Sequence, residues 1–293
     1  MSLFARLSRP ALRSLQPRAF FQYSQKRARQ LTPAREIQKY ASSFKYIHLD
    51  SMRVSFKSAP AEDFVIPKDG ENTDLEQYIV PNVGRKVLIN PEFDVLKFNC
   101  ISDPGVQTFV TKLHDVVLNT SRKIGRDETF TDTLVDDLLR VAKNKPRCEF
   151  YVGDYYIVAK PEFLIKSHDN IFVAVEVSSG FGEPQLAIEI LSSGFENLRP
   201  YYNEKLGYFK DQTVFAIRVI STHVTFYKAT IAAKYFNELE FGYPEEQSIE
   251  ILRWPAINFK CSDFDLSESD GRKKVLSSLI NIRQSLLQSI RNN

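Results

Sequence analysis

Two hydrophobic periods divide this chain. From residue 102 to about 144 apolar positions recur every three or four residues, and from 147 to 178 they alternate with polar ones. In SDPGVQTFVTKLHDVVLNTSRK the apolar stripe is Val106, Phe109, Val110, Leu113, Val116 and Val117. That spacing predicts a helix with Ser102 or Asp103 as N-cap and Pro104 in the first turn. DETFTDTLVDDLLRVAKN repeats the pattern through Phe130, Leu134, Leu138, Leu139 and Val141, and Asn144 to Pro146 end it. The alternating region predicts four strands, RCEFYV, YYIVAK, PEFLIKS and IFVAVEV, with a turn at Gly153-Asp154. A helix over 184–199 follows, with Pro184 at its first position, and then two strands, QTVFAIRVI and HVTFYKATIAA, joined at Ser221-Thr222. IEILRWP reads as a further edge strand. Residues 268–290 form a long amphipathic helix through Val275, Leu276, Leu279, Ile282, Leu286 and Ile290.

The pattern is weaker before residue 102. Phe44, Tyr46, Ile47, Leu49, Val54 and Phe56 predict one or two short strands, and 59–74 is a loop rich in Pro, Gly and acids. A short periodic piece at LEQYI precedes two strand candidates, RKVLI (85–89) and DVLKFNCI (94–101). The order of helices, strand meander, crossover helix, further strands and closing helix is that of an α/β or α+β domain.

Charge changes the picture at one end. Residues 1–35 carry Arg6, Arg9, Arg13, Arg18, Lys26, Arg27, Arg29 and Arg35 and no acid, and Phe4, Leu7, Ala11 and Leu15 recur at helical spacing. An Arg-rich, Ser-containing, acid-free amphipathic start has the composition of a mitochondrial transit peptide, which predicts a mitochondrial, matrix-facing protein. The competing reading is a disordered basic arm that touches nucleic acid or anionic lipid. The chain thus divides into a presequence (1–35), an N-terminal extension with short strands (36–101) and an α/β domain (102–293). The net charge of +3 makes no case for nucleic acid by itself. No apolar run is long enough to span a membrane. Cys100, Cys148 and Cys261 are scattered, so neither a zinc ribbon nor a disulfide framework is expected.

The chemistry concentrates in KPEFLIKSHDNIFVAVEVSSG (160–180). A three-residue loop, His168-Asp169-Asn170, pairs Glu162 with Glu176 across the hairpin, because Asn tolerates the left-handed conformation such a loop needs. A two- or four-residue loop puts the acids on opposite faces. Pro161-Glu162, a hairpin, and Glu176-Val177-Ser178 together resemble the core of the PD-(D/E)xK phosphodiesterase superfamily. Preceding helices (one a source of Glu128 or Asp132), a crossover helix beginning Gln185-Leu186 and the strand QTVFAIRVI agree with that resemblance, which covers about residues 104–230.

The resemblance implies a restriction-endonuclease-like mixed sheet flanked by helices and a divalent-metal-dependent nuclease acting on DNA or RNA. Glu162 and Glu176 would ligate Mg²⁺ or Mn²⁺, with Gln185 beside the metal. Where the family has a lysine this chain has Ser178, which carries no charge to stabilise the transition state. Three explanations compete. The cation has migrated, with Lys160 preferred because it shares strand parity with Glu162 about 7 Å away. The site binds metal without cutting efficiently. Or the fold persists as an inactive scaffold for other proteins, whose identity the sequence leaves open. Tyr201, Tyr202 and Tyr208 with Lys205 and Lys210 are further candidates for contact with a nucleic-acid strand.

Overall fold

The computed structural model describes residues 37–68, 76–98, 101–121, 127–139, 148–161, 163–167, 170–177, 182–203, 210–256 and 264–291. The 1–35 presequence expectation lies outside them. In chain order the elements are α1 (Tyr46–Ser51), β1 (Val54–Ser58), α2 (Glu76–Ile79), α3 (Arg85–Leu88), α4 (Pro104–Ser121) and α5 (Thr129–Leu139). They continue as β2 (Cys148–Val152), β3 (Tyr155–Ala159), β4 (Phe163–Ser167), β5 (Asn170–Val177), α6 (Glu183–Asn203) and β6 (Gln212–Ile220). The chain closes with β7 (His223–Ile231), α7 (Ala233–Leu239), β8 (Ile249–Trp254) and α8 (Ser269–Arg291).

Six strands form one mixed sheet in the order β1-β8-β7-β6-β5-β4, and β2 and β3 form a separate antiparallel pair. Strand β5 runs parallel to β6, with α6 as the crossover, and β1 runs parallel to β8. The other neighbours are antiparallel. The protein is therefore a mixed α/β fold, with a helical layer on each face of its large sheet.

Strand β6 is buried on both faces, which explains why it reads as a nearly continuous apolar run. On β6, Val214 and Ala216 pack with α6, α7 and the β2–β3 pair, whereas Phe215, Ile217 and Val219 pack with α4, α5 and α8. Helix α6 lies close to the sheet because small residues line it. Ala187, Ser192 and Ser193 are fully buried. A side chain at Gly194 would meet Ile231 Cδ1 and Phe236 Cζ, each at 3.1 Å. The buried hydroxyls of Ser192 and Ser193 donate to the carbonyls of Ile188 and Glu189 one turn back, so their burial leaves no unmet donor. Each fully buried Leu or Ile on this helix contributes about 1.5–3 kcal/mol.

The N-terminal extension differs from expectation. Residues 46–51, 85–88 and 95–97 are helical, and among the described residues of the extension only Val54–Ser58 is a strand. Short apolar runs do not distinguish helix from strand by period alone. The buried pair Leu49 and Met52 is spaced by three, which suits one helical face. Nor is this segment an appendage. Strand β1 completes the large sheet beside β8, so IEILRWP is an interior strand and not the predicted edge.

At its other end the chain is locked by buried arginine. Arg272 of α8 is fully buried and donates to the carbonyls of Ile79, Val80, Val83 and Leu266. It satisfies the turn after α2 and the entry to α8 with one planar fork. Gly271 is required beside it, because a Cβ there would collide with the Asp265 carbonyl.

Candidate functional site

The hairpin that carries the acids has an irregular register. Ser167 pairs with Asn170 and Lys166 with Ile171, so Asn170 belongs to the strand and the predicted three-residue loop does not form. A bulge then shifts the pairing, and Ile165, Leu164 and Phe163 face Val173, Ala174 and Val175. One extra residue on β5 thus gives the base of the hairpin the register that a three-residue loop would have set. Glu162, His168, Ser178 and the loop through Phe181 lie outside the described residues, and with them the proposed Glu162–Glu176 pairing. The backbone of Glu176 stands near the end of β5, directly beside Arg218 on the parallel strand β6.

A charged cluster is gathered at that same end of the sheet. Glu183 opens α6, where the helix N-terminus favours an acid. Its Oε1 accepts from Arg253 Nη1 at 2.8 Å and from Tyr227 Oη at 3.2 Å, and its Oε2 accepts from Tyr46 Oη at 2.7 Å. Arg253 and Tyr227 are register partners on β8 and β7, so they share a face. The Arg218 guanidinium also donates to Tyr227. Five residues between positions 46 and 253 meet where β5, β6, β8 and β1 all end, the place where open α/β sheets put their sites.

Electrostatics marks the cluster. Partial burial, reinforced by the hydrogen bond to Glu183 and its negative charge, pushes the Tyr46 phenol up to about 12. Deep burial raises Tyr227 further, with Glu183 adding to the effect and Arg218 opposing it. Both phenols are therefore neutral donors at physiological pH. Arg253 Nε is buried and has no hydrogen-bond partner among the described residues.

The remaining predicted residues are dispersed. Gln185, in the first turn of α6, donates through Nε2 to Glu189 Oε1 at 3.0 Å, and Glu189 is fully buried. Lys160 is exposed and lies in the connection between β3 and β4, in neither strand, so the parity argument that placed it near Glu162 does not apply. Helix α5, the source of Asp132, packs with α4 on the opposite face of the sheet from α6. Lys205 and Tyr208 lie outside the described residues.

These positions bear on the metal expected from the resemblance. Among the described residues no three His, Cys, Asp or Glu side chains come together. Glu183 has both oxygens engaged by arginine and tyrosine donors, and Gln185 is tied to Glu189. Among them no helix is long and apolar enough to cross a membrane.

Sequence reasoning missed Glu183, Arg253, Tyr46, Tyr227, Arg218 and Glu189. A signal existed for two of them. In QTVFAIRVI and IEILRWP an arginine occupies the parity of the buried Val214, Ala216, Ile249 and Ile251, a place where an unpaired charge is prohibitively costly. Compared with known proteins, the chain matches no family model, no curated protein and no solved structure.

Proposed function

We propose that this chain is a mitochondrial, PD-(D/E)xK-like protein that binds or processes DNA or RNA. The single observation that carries the reading is the β4–β5 hairpin followed by crossover helix α6 and parallel strand β6, with Glu176 beside Arg218 at the strand ends. This is the arrangement in which the resembled superfamily holds its second acid. Arg218, the register partner of Glu176 on β6, would supply a permanent cation at this end of the sheet, whereas the family's lysine position is Ser178. Transit-peptide composition in residues 1–35 supports the compartment. The test is cleavage of labelled single- and double-stranded DNA and RNA by the full chain with Mg²⁺ or Mn²⁺, against a Glu176→Ala control. Cleavage abolished by that substitution supports a working phosphodiesterase; cleavage that survives it overturns Glu176 as its ligand.

A second reading, an inactive scaffold on the same fold, is favoured by one observation. The acid that opens α6 at the strand ends is engaged by the protein itself, Glu183 being held by Arg253, Tyr46 and Tyr227. Neither cleavage nor binding of DNA or RNA by the full chain is its expected outcome.

A further inference from the structure

The β2–β3 pair presents an unusual outer face. Alternation sends Cys148, Phe150, Val152, Ile157 and Ala159 into the core under α6. Tyr151 and Tyr156 are register partners on the other side. Their side chains lie about 5 Å apart at Cβ. The chain just before α1 extends this face. Val158 N donates to the Lys39 carbonyl at 2.8 Å, and Tyr40 forms a parallel bridge with Val158. Tyr40 is 52% exposed, Tyr151 45% and Tyr156 40%, far more than packing requires.

These rings are held in place. Lys39 Nζ lies 4.9 Å from the Tyr156 ring centroid and 5.6 Å from that of Tyr40, so one ammonium spans two rings. Tyr151 contacts the Phe195 ring at 6.0 Å. Lys160 is exposed immediately after β3. The aliphatic residue of this face, Val158, is only 3% exposed, so what faces solvent here is the tyrosine rings, Lys39 and half-buried Glu149. Single-strand sites pair aromatic rings, on which bases stack, with cations that meet the phosphates, and this face offers both.

We propose that Tyr151, Tyr156 and the Lys39-Tyr40 segment form a stacking platform for single-stranded nucleic acid. The proposal rests on the nucleic-acid reading above and assigns it a surface distinct from Glu176. Bases stack on the tyrosine rings while Lys39 and Lys160 meet the phosphates. Half-buried Glu149, two positions from Tyr151 on the same face, opposes the strand's charge and limits affinity.

The test is anisotropy titration of the full chain with labelled single-stranded DNA, single-stranded RNA and a duplex of equal length. Wild type is compared with Tyr151→Ala/Tyr156→Ala, Tyr151→Phe/Tyr156→Phe and Lys39→Gln, each with its fold checked by circular dichroism. The alanine pair is expected to weaken single-strand binding about tenfold or more, the scale of losing base–ring stacks, and the phenylalanine pair to retain it. Lys39→Gln is expected to reduce the slope of log K against log salt by about 0.7, one phosphate contact. Basic residues 1–35 are present in every variant, so the comparison isolates the tyrosines. If wild type binds and the alanine pair binds equally, the platform is wrong while the nucleic-acid reading stands. If the phenylalanine pair loses binding as the alanine pair does, stacking is wrong. If wild type binds none of the three ligands, the nucleic-acid reading fails together with the platform.

Discussion

Arg253 Nη1 lies 2.8 Å from Glu183 Oε1, joining the end of β8 to the start of α6. The two side chains are only 14% and 7% exposed, so the pair is largely out of water. Removing one partner of such a pair leaves the other charge buried and uncompensated. Glu183→Gln is expected to lower stability by about 3 kcal/mol in urea unfolding, the scale for breaking a buried pair. The double variant Glu183→Gln/Arg253→Met is expected to lose less than the sum of the singles. Additive losses would mean that the two groups do not interact.

Tyr46 donates to the other oxygen of Glu183, and its phenol titrates near 12 where an ordinary tyrosine titrates at 10. Because the native state holds the proton to higher pH than the unfolded chain does, this bond's stabilisation is complete below about pH 10 and lost as pH rises through 12. Tyr46→Phe is expected to make stability fall less steeply across that window. Tyrosinate absorbance of the native protein should show a late-ionising fraction near pH 12 that Tyr46→Phe reduces. An unchanged alkaline limb in the variant would remove Tyr46 from the cluster.

Asp265 dictates behaviour at the acid end. Burial pushes its carboxyl up, but hydrogen bonds from Thr222 and Ser267 and the nearby His223 outweigh burial and hold it below the ordinary range. Arg85 adds a contact at 3.3 Å. A depressed carboxylate stabilises the fold above its unfolded value, near 4, and the contribution is lost as pH falls through its native one. Asp265→Asn is therefore expected to destabilise the protein at neutral pH and to approach wild type as the solution is acidified. A constant difference between the two proteins from neutral to strongly acid pH would contradict this.

Arg272 joins α8 to the turn after α2. Burial lowers its guanidinium to about 10, with Glu268 and Asp265 acting in the opposite direction, so it is still charged at neutral pH. Its donors reach four backbone carbonyls. Lysine keeps the charge but not the fork, so Arg272→Lys is expected to cost about 3 kcal/mol or more. Limited proteolysis should then cut first within residues 79–83. A Lys variant as stable and as protease-resistant as wild type would show that the fork geometry is not what matters.

How much of this was legible beforehand differs by element. The long periodic helices α4 and α8 were readable because each buries one stripe along many turns, and Asp103 caps α4 as its type suggests, accepting from Val106 N at 2.9 Å. Strands β2 to β7 were readable from alternation, and the Gly153-Asp154 turn from its glycine, which takes φ +56°. The segments 46–51 and 85–88 were misread because four to six residues hold too few apolar positions to fix a period.

The hairpin shows where local chemistry stops being sufficient. The sequence predicted a loop type from Asn170, but the structure puts Asn170 in β5 and places the irregularity at a bulge further down. Pairing along β4 and packing of β5 against β6 are satisfied together that way, and neither constraint is visible in a local stretch of sequence. The Glu183 cluster is the same lesson over longer range. Arginines at inward strand parity said by themselves that carboxylate or phenol partners must exist, since a buried charge has to be paired. Which partners they are, Tyr46, Glu183 and Tyr227, was decided only when the sheet order brought the strand ends and the start of α6 to one place. Periodicity is set by neighbours three or four residues away and survives in the chain; a site assembled from positions 46 to 253 depends on tertiary packing, which no single stretch encodes.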